Sequence, residues 1–232
     1  VAIAIDSSSP DVVDNFVDPT TGTFTAPAGS LLVACGGAAT LEAVSISNTG
    51  PALAWTQQVQ FGSGDTGANN GQAAIWTAPV DVEAARTVTL GVASGGAGLK
   101  VLVITGADIN NPVGATGHGA ATTNTLTPTV YTSTVPKSRG VIVANDWTAR
   151  GLPAVSADLG YPWDNLDGDS GIAIAKAADT PDAGTNVSVD INGAGTNTIQ
   201  WNWVAVEILP PSQLRPRPLI ANQAALVRAS YW

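Results

Sequence analysis

Trp201–Pro211 reads WNWVAVEILPP, the densest apolar run in a chain of 232 residues. In an extended strand Trp201 and Trp203 point to one face, and Val204, Val206 and Ile208 to the other. A run that is apolar on both faces belongs in a core, so the two tryptophans read as core residues before they read as a binding surface. Pro210 and Pro211 end the strand, because proline has no N–H to give a ladder. Beyond them Ser212–Trp232 is rich in Pro, Arg and aliphatic residues and contains no acid. A buried strand thus closes the body and an arm leaves it.

Upstream the chain repeats the same grammar of short β-type runs separated by Gly, Pro, Asn and Asp. Val1–Ile5, Thr21–Thr25, Ser30–Cys35, Leu41–Ser47, Leu53–Phe61, Gln72–Thr77, Arg86–Val92 and Leu99–Thr105 are such runs. Thr127–Thr132, Val141–Trp147, Gly171–Ala177, Asn186–Ile191 and Thr198–Leu209 complete the set. About a dozen short strands at this spacing predict an all-β fold, an antiparallel β-sandwich of jelly-roll-like kind. Helical composition is confined to Asp81–Arg86 and Asn222–Arg228. Gly62–Gly71 and Gly114–Asn124 read as long loops between strands of one character. Residues 1–210 are therefore expected to form one sandwich domain, and residues 211–232 an extended C-terminal arm. No strict internal repeat is legible: VTLGV (88–92) and VSVDI (187–191) share a strand alphabet and nothing more.

Composition narrows the function classes. Hydrophobic residues make up 44% and charged residues only 12%, yet no run approaches the ~18 apolar residues of a membrane span. A single cysteine, Cys35, excludes intrachain disulfides and cysteine-based zinc sites, and its apolar surroundings predict a buried thiol. All acids precede Pro211, so the body carries 18 acids against six cations (−12) and the arm carries +3. An acidic body disfavours nucleic acid as a partner, and the opposite sign of the arm favours an acidic protein surface.

Sites of chemistry are sparse. His118, the sole histidine, lies in Gly117-His118-Gly119, a poor setting for a preorganised base. There is no nucleophile elbow, zincin, phosphate-loop or dinucleotide motif, and nothing brings Asp146 together with an acid of Asp158–Asp169 as a glycosidase pair. The expectation is a protein that is not an enzyme and takes no cofactor. The acids Asp164, Asp167 and Asp169 are a calcium candidate, although the spacing is not that of an EF-hand and a solvated loop is the plainer reading. Trp147, Tyr161 and Trp163, set beside those acids, are a glycan-binding candidate of the kind found in carbohydrate- or receptor-binding modules.

Several strings carry a resemblance: FTAPAGSLLVACGG, LAWTQQV, AAIWTAPV, LKVLVITGAD with NPVGATG, LTPTVYTSTVPKSRGVIVANDWTARGLP, GIAIAKAADTPDAGT and WNWVAVEILP. Across roughly Thr23–Pro211 the chain resembles a family of β-sandwich proteins from tailed phages of actinobacteria and related bacterial genomes. Members look like virion structural proteins, of the minor tail or capsid decoration kind. The resemblance implies a location in the virion, an extracellular particle, with capsid or tail subunits and further copies of the chain as partners. It brings no catalytic residues. The arm fits that expectation. Residues before its prolines avoid the α region, which keeps it extended. Leu214, Arg215, Arg217, Leu219, Ile220, Leu226, Val227, Arg228, Tyr231 and Trp232 are the apolar, aromatic and Arg anchors expected to meet a partner. Neither a membrane nor a nucleic acid is expected among the partners, whereas a cell-surface glycan stays open through the loop aromatics.

Overall fold

Short runs of Val, Ile, Leu and Ala between turn residues pair with one another as twenty antiparallel strands, with no helix among the described residues. The computed structural model describes residues 2–40, 42–62, 71–123, 125–146, 151–165, 169–193 and 201–211. The first half of the chain supplies β1 (Ala4–Ile5), β2 (Val13–Asn15), β3 (Phe24–Ala26), β4 (Leu31–Ala38), β5 (Ser45–Asn48), β6 (Thr56–Gly62), β7 (Gln72–Pro79), β8 (Ala84–Arg86), β9 (Val88–Gly91) and β10 (Ala97–Thr105). The second half supplies β11 (Val113–Ala121), β12 (Thr125–Leu126), β13 (Thr129–Thr132), β14 (Arg139–Asp146), β15 (Ala154–Val155), β16 (Leu159–Asn165), β17 (Asp169–Ala175), β18 (Asn186–Ser188), β19 (Ile191–Asn192) and β20 (Trp201–Ile208).

The two halves share one topology, apart from β2, which pairs with β10 and has no counterpart on β20. The large sheet of the first half has the order β1-β10-β4-β7-β6, and that of the second has β11-β20-β14-β17-β16. Each strand of the second sheet is the tenth after its counterpart in the first. The small pairs follow suit, β3-β8 matching β13-β18 and β5-β9 matching β15-β19. Even the isolated bridge from Thr20 to Thr89 on β9 has its partner in the pairing of β12 with β19. Local geometry repeats too. Gly29 and Lys137 both have positive φ (79° and 62°), and each precedes a serine, Ser30 or Ser138. The serine hydroxyl donates to the carbonyl three residues back, that of Pro27 or Val135. The β9 and β19 segments occupy equivalent places, with Leu90 and Ile191 both buried and paired to Ile46 and Val155. The likeness of VTLGV to VSVDI is therefore structural, displaced by two residues.

Three cores follow from the period-2 alternation of the long strands. The two large sheets stack face to face around Leu31, Val33, Cys35, Ile75, Leu102 and Ile104 from one and Val141, Val143, Val204, Val206 and Ile208 from the other. The outer face of the first sheet, including Trp76, Leu99 and Val101, is covered by β3, β5, β8 and β9 through Phe24, Ile46, Val88 and Leu90. The outer face of the second, including Trp201 and Trp203, is covered by Leu126, Val130, Val187 and Ile191. Sheet contacts between the halves are reciprocal. β20 packs on β6 and β7, β10 packs on β16 and β17, and β4 meets β14 at the centre, as expected of a two-fold related pair.

Three sequence expectations are corrected. Asp81–Arg86 contributes a strand, not a helix: two turns are too few to nucleate alone, and β8 gains ladder bonds with β3. Most of Gly114–Asn124 is the nine-residue strand β11, which lines the edge of the second sheet against β20. Part of the acidic loop 158–169 is the edge strand β16, where Pro162 is tolerated because an edge leaves alternate N–H groups without a ladder partner.

Candidate functional site

The end of β20 is held by a dense set of hydrogen bonds. Glu207, the one acid in β20, is fully buried at 0% exposure. One carboxylate oxygen accepts from Ala115 N–H (2.9 Å) and Thr134 Oγ1 (2.7 Å), and the other accepts from Thr134 N–H (2.9 Å). Burial pushes its pKa up, but the bonds from Ala115, Ser138 and Thr134 outweigh burial and hold the carboxyl below its ordinary value. β20 is thereby clamped to β11 and to the turn before β14. Two further backbone bonds fix the exit, Leu209 N–H to Pro112 O (2.8 Å) and Asp108 N–H to Leu209 O (2.9 Å). Pro210 and Pro211 then border a cavity of about 380 Å³ with Asp108, Val135, Pro136 and Leu209. The sequence signal for this clamp is a single acid inside WNWVAVEILP.

The second built feature joins the two halves. Lys100, 4% exposed, lies on the inner face of β10 and donates to Pro10 O. Its ammonium stands 4.2 Å from the ring centroid of Tyr161 in the other half, a cation–π contact. Burial lowers the Lys100 pKa, with Asp11 and Cys35 pulling it back up. Beside it Trp163 is 1% exposed and sits over three glycines. A Cβ would fall 2.3 Å from its ring at Gly98, 2.3 Å at Gly171 and 2.7 Å at Gly37.

Trp163 is thus a core residue, which corrects its placement in a glycan site: with both sheets packed against it, no ring face is left for a sugar. Tyr161 is half-buried under Lys100, and Trp147 lies outside the described residues. Tyr161 and Trp163 alone therefore form no exposed platform. Asp164, on β16, has a buried carboxylate oxygen with no hydrogen-bond partner; Asp167 and the side chain of Asp169 lie outside the described residues. Asp146, Ser170 and Asp164 occupy one cross-strand row, with Ser170 between the two acids and Asp146 fully buried. Among the described residues no group of three or more His, Cys, Asp or Glu converges on a metal-sized site. His118 is exposed on β11 and stacks on Phe61 of β6 at 5.0 Å. Cys35 is buried, and burial pushes its thiol up to about 12. All the arm anchors, Leu214, Arg215, Arg217, Leu219, Ile220, Leu226, Val227, Arg228, Tyr231 and Trp232, lie outside the described residues.

Comparison with protein-family models, with curated proteins and with solved structures returned no match.

Proposed function

We propose that the protein is a non-enzymatic structural subunit of a virion, a capsid decoration or minor tail protein of a tailed phage, joined to neighbouring subunits by its C-terminal arm. The observation that carries this reading is the exit at Pro211. A clamped core strand launches a segment of opposite charge to the body, with three arginines, no acid and a Tyr-Trp end. A rigid anchor point lowers the entropy cost of ordering the segment attached to it, which suits an attachment arm. The family resemblance across the body supplies the virion context. The glycan alternative loses Trp163 to the core and gains no support from the remaining pair. Deleting Ser212–Trp232 tests the proposal: the body should still fold, and its incorporation into particles should be lost. Incorporation equal to that of the full chain would remove the arm from the mechanism, and absence of the full chain from purified particles would remove the virion assignment.

A further inference from the structure

The two halves differ most in their accessible charge. Residues 1–110 contain nine acids and two cations, Arg86 and Lys100, and both cations are buried, at 1% and 4% exposure. The accessible face of the first half therefore carries no described positive charge. The described cations of the second half are Lys137, Arg139 and Lys176, of which Arg139 pairs with Asp179 and Lys176 with Asp158.

Within the first half the acids concentrate at Asp11–Asp18, which reads DVVDNFVD. Asp11, Asp14 and Asp18 are all exposed there, and between them stand Phe16 and Val17, 49% and 38% exposed. These two apolar side chains are held outward by fixed backbone. Phe16 N–H donates to Asn15 Oδ1 (2.9 Å), Asp18 adopts positive φ (51°), and the Asp18 carboxylate accepts from Val92 N–H (2.8 Å). Asp11 and Val13 of this stretch also line, with Pro10 and Phe24, a groove of about 660 Å³. Two exposed apolar side chains flanked in sequence by exposed carboxylates are a foothold for a segment that is basic and apolar together.

Ser212–Trp232 is such a segment. We propose that the arm of one copy lies along this acidic face of the first half of a neighbouring copy, Arg215 and Arg217 meeting Asp11 and Asp14 and the arm's aliphatic or aromatic residues covering Phe16 and Val17. The proposal rests on the reading of the arm as an attachment device. Each copy offers one arm and one such face, on different halves and at opposite ends of the sandwich. Leu209 is bonded beside Asp108, past the C-terminal end of β10, whereas β2 pairs with Ala97–Leu99 at its N-terminal end. That places the two features for a head-to-tail contact, which propagates around a ring or along a row. An extended arm of 21 residues, at ~3.1 Å per residue, has ample reach for it.

The test uses two full-length variants, one with Asp11→Lys and Asp14→Lys on the face, the other with Arg215→Glu and Arg217→Glu on the arm. Association is read by sedimentation velocity at low salt, and cross-links between isotopically labelled and unlabelled copies report which chain supplies the arm. The wild type should associate, more weakly as salt rises, and each variant alone should associate about 10-fold or more weakly. Mixing the variants, which matches Glu arms to Lys faces, should restore association; a misfolded variant could not do this. Phe16→Ser should weaken the wild-type contact without altering its salt dependence. Association lost on arm reversal but untouched by face reversal would overturn this docking face and leave the arm's attachment role standing. Association untouched by arm reversal would overturn both. A wild type that stays monomeric, or arm cross-links confined to one chain, would overturn the contact between copies.

Discussion

Glu207→Gln isolates the clamp at the end of β20. Glutamine keeps the length and shape of the side chain but replaces one acceptor oxygen with a donor and removes the charge. Of the three close bonds, from Ala115 N–H, Thr134 N–H and Thr134 Oγ1, those to the oxygen that glutamine keeps change from charge-assisted to neutral, and the amide NH2 sets a donor against a backbone N–H. Each such change forfeits ~0.5–1 kcal/mol, and relief from burying a charge returns part of it, so the net loss should be about 2 kcal/mol. Glu207→Val, which installs the residue type that Val103 supplies at the equivalent place in the first half, leaves the same donors without any acceptor and should cost about 4 kcal/mol. Urea unfolding of each chain measures both. The acid side gives an independent check. Glu207 has a folded pKa below its unfolded value, so its contribution is full above the unfolded pKa of ~4.3 and fades as pH falls through the folded value. The stability gap between the native chain and Glu207→Gln should therefore close in acid. A gap under about 0.5 kcal/mol at pH 7, or one that does not narrow on acidification, would refute the clamp.

Gly98→Ala would place a methyl group 2.3 Å from three ring atoms of Trp163, and expelling the indole or spreading the sheets should cost about 3 kcal/mol in the same unfolding assay. Lys137→Gly puts glycine where its counterpart Gly29 already stands, in a left-handed conformation; relief of that strain should stabilise the protein by about 0.5 kcal/mol after the entropy cost of glycine. Cys35, buried with its thiol pushed up to about 12, should resist thiol reagents at pH 7 and react at the rate of unfolding; immediate labelling of the native protein would contradict its burial.

The strands legible in the sequence are those whose side chains reach a core. β20, β14, β10 and β4 carry branched aliphatics on both faces because each lies inside a large sheet with a core on either side. β11 reads as a loop because it carries almost no apolar signal, for reasons the packing explains. A Cβ at Gly117 would fall 1.7 Å from Val130 O, and one at Gly119 would fall 2.8 Å from the Trp203 ring, so close approach of β13 and Trp203 demands glycine in a strand. β16 is hidden by Pro162 and Asp164, which an edge strand tolerates and a central one does not. Trp163 reads as a loop aromatic for the same reason, and two of the glycines that seat it, Gly37 and Gly98, lie far away in sequence. The duplication leaves little trace because only the apolar alternation is needed to rebuild the sheets, and many sequences satisfy it.

The repeat makes each half a control for the other, and the positions where they differ explain why they join to each other and not to themselves. By strand register Gly37 and Gly98 of the first half correspond to Asn145 and Asn202 of the second. Asn145 Nδ2 donates to Ala38 O (3.2 Å) and Asn202 Nδ2 to Gly71 O (2.8 Å), both carbonyls of the first half. Two second halves placed face to face would set each Trp163 against Asn145 and Asn202, where the existing seat at Gly37 and Gly98 has no room even for a methyl group. Two first halves would bury a pair of Lys100 ammonium groups, each facing Val59 in place of the Tyr161 ring, since Val59 and Tyr161 pair with the equivalent Ile75 and Ala173. An uncompensated buried charge costs several kcal/mol, so that pairing is disfavoured as well. Polar residues at the centre thus specify one pairing of two similar sandwiches.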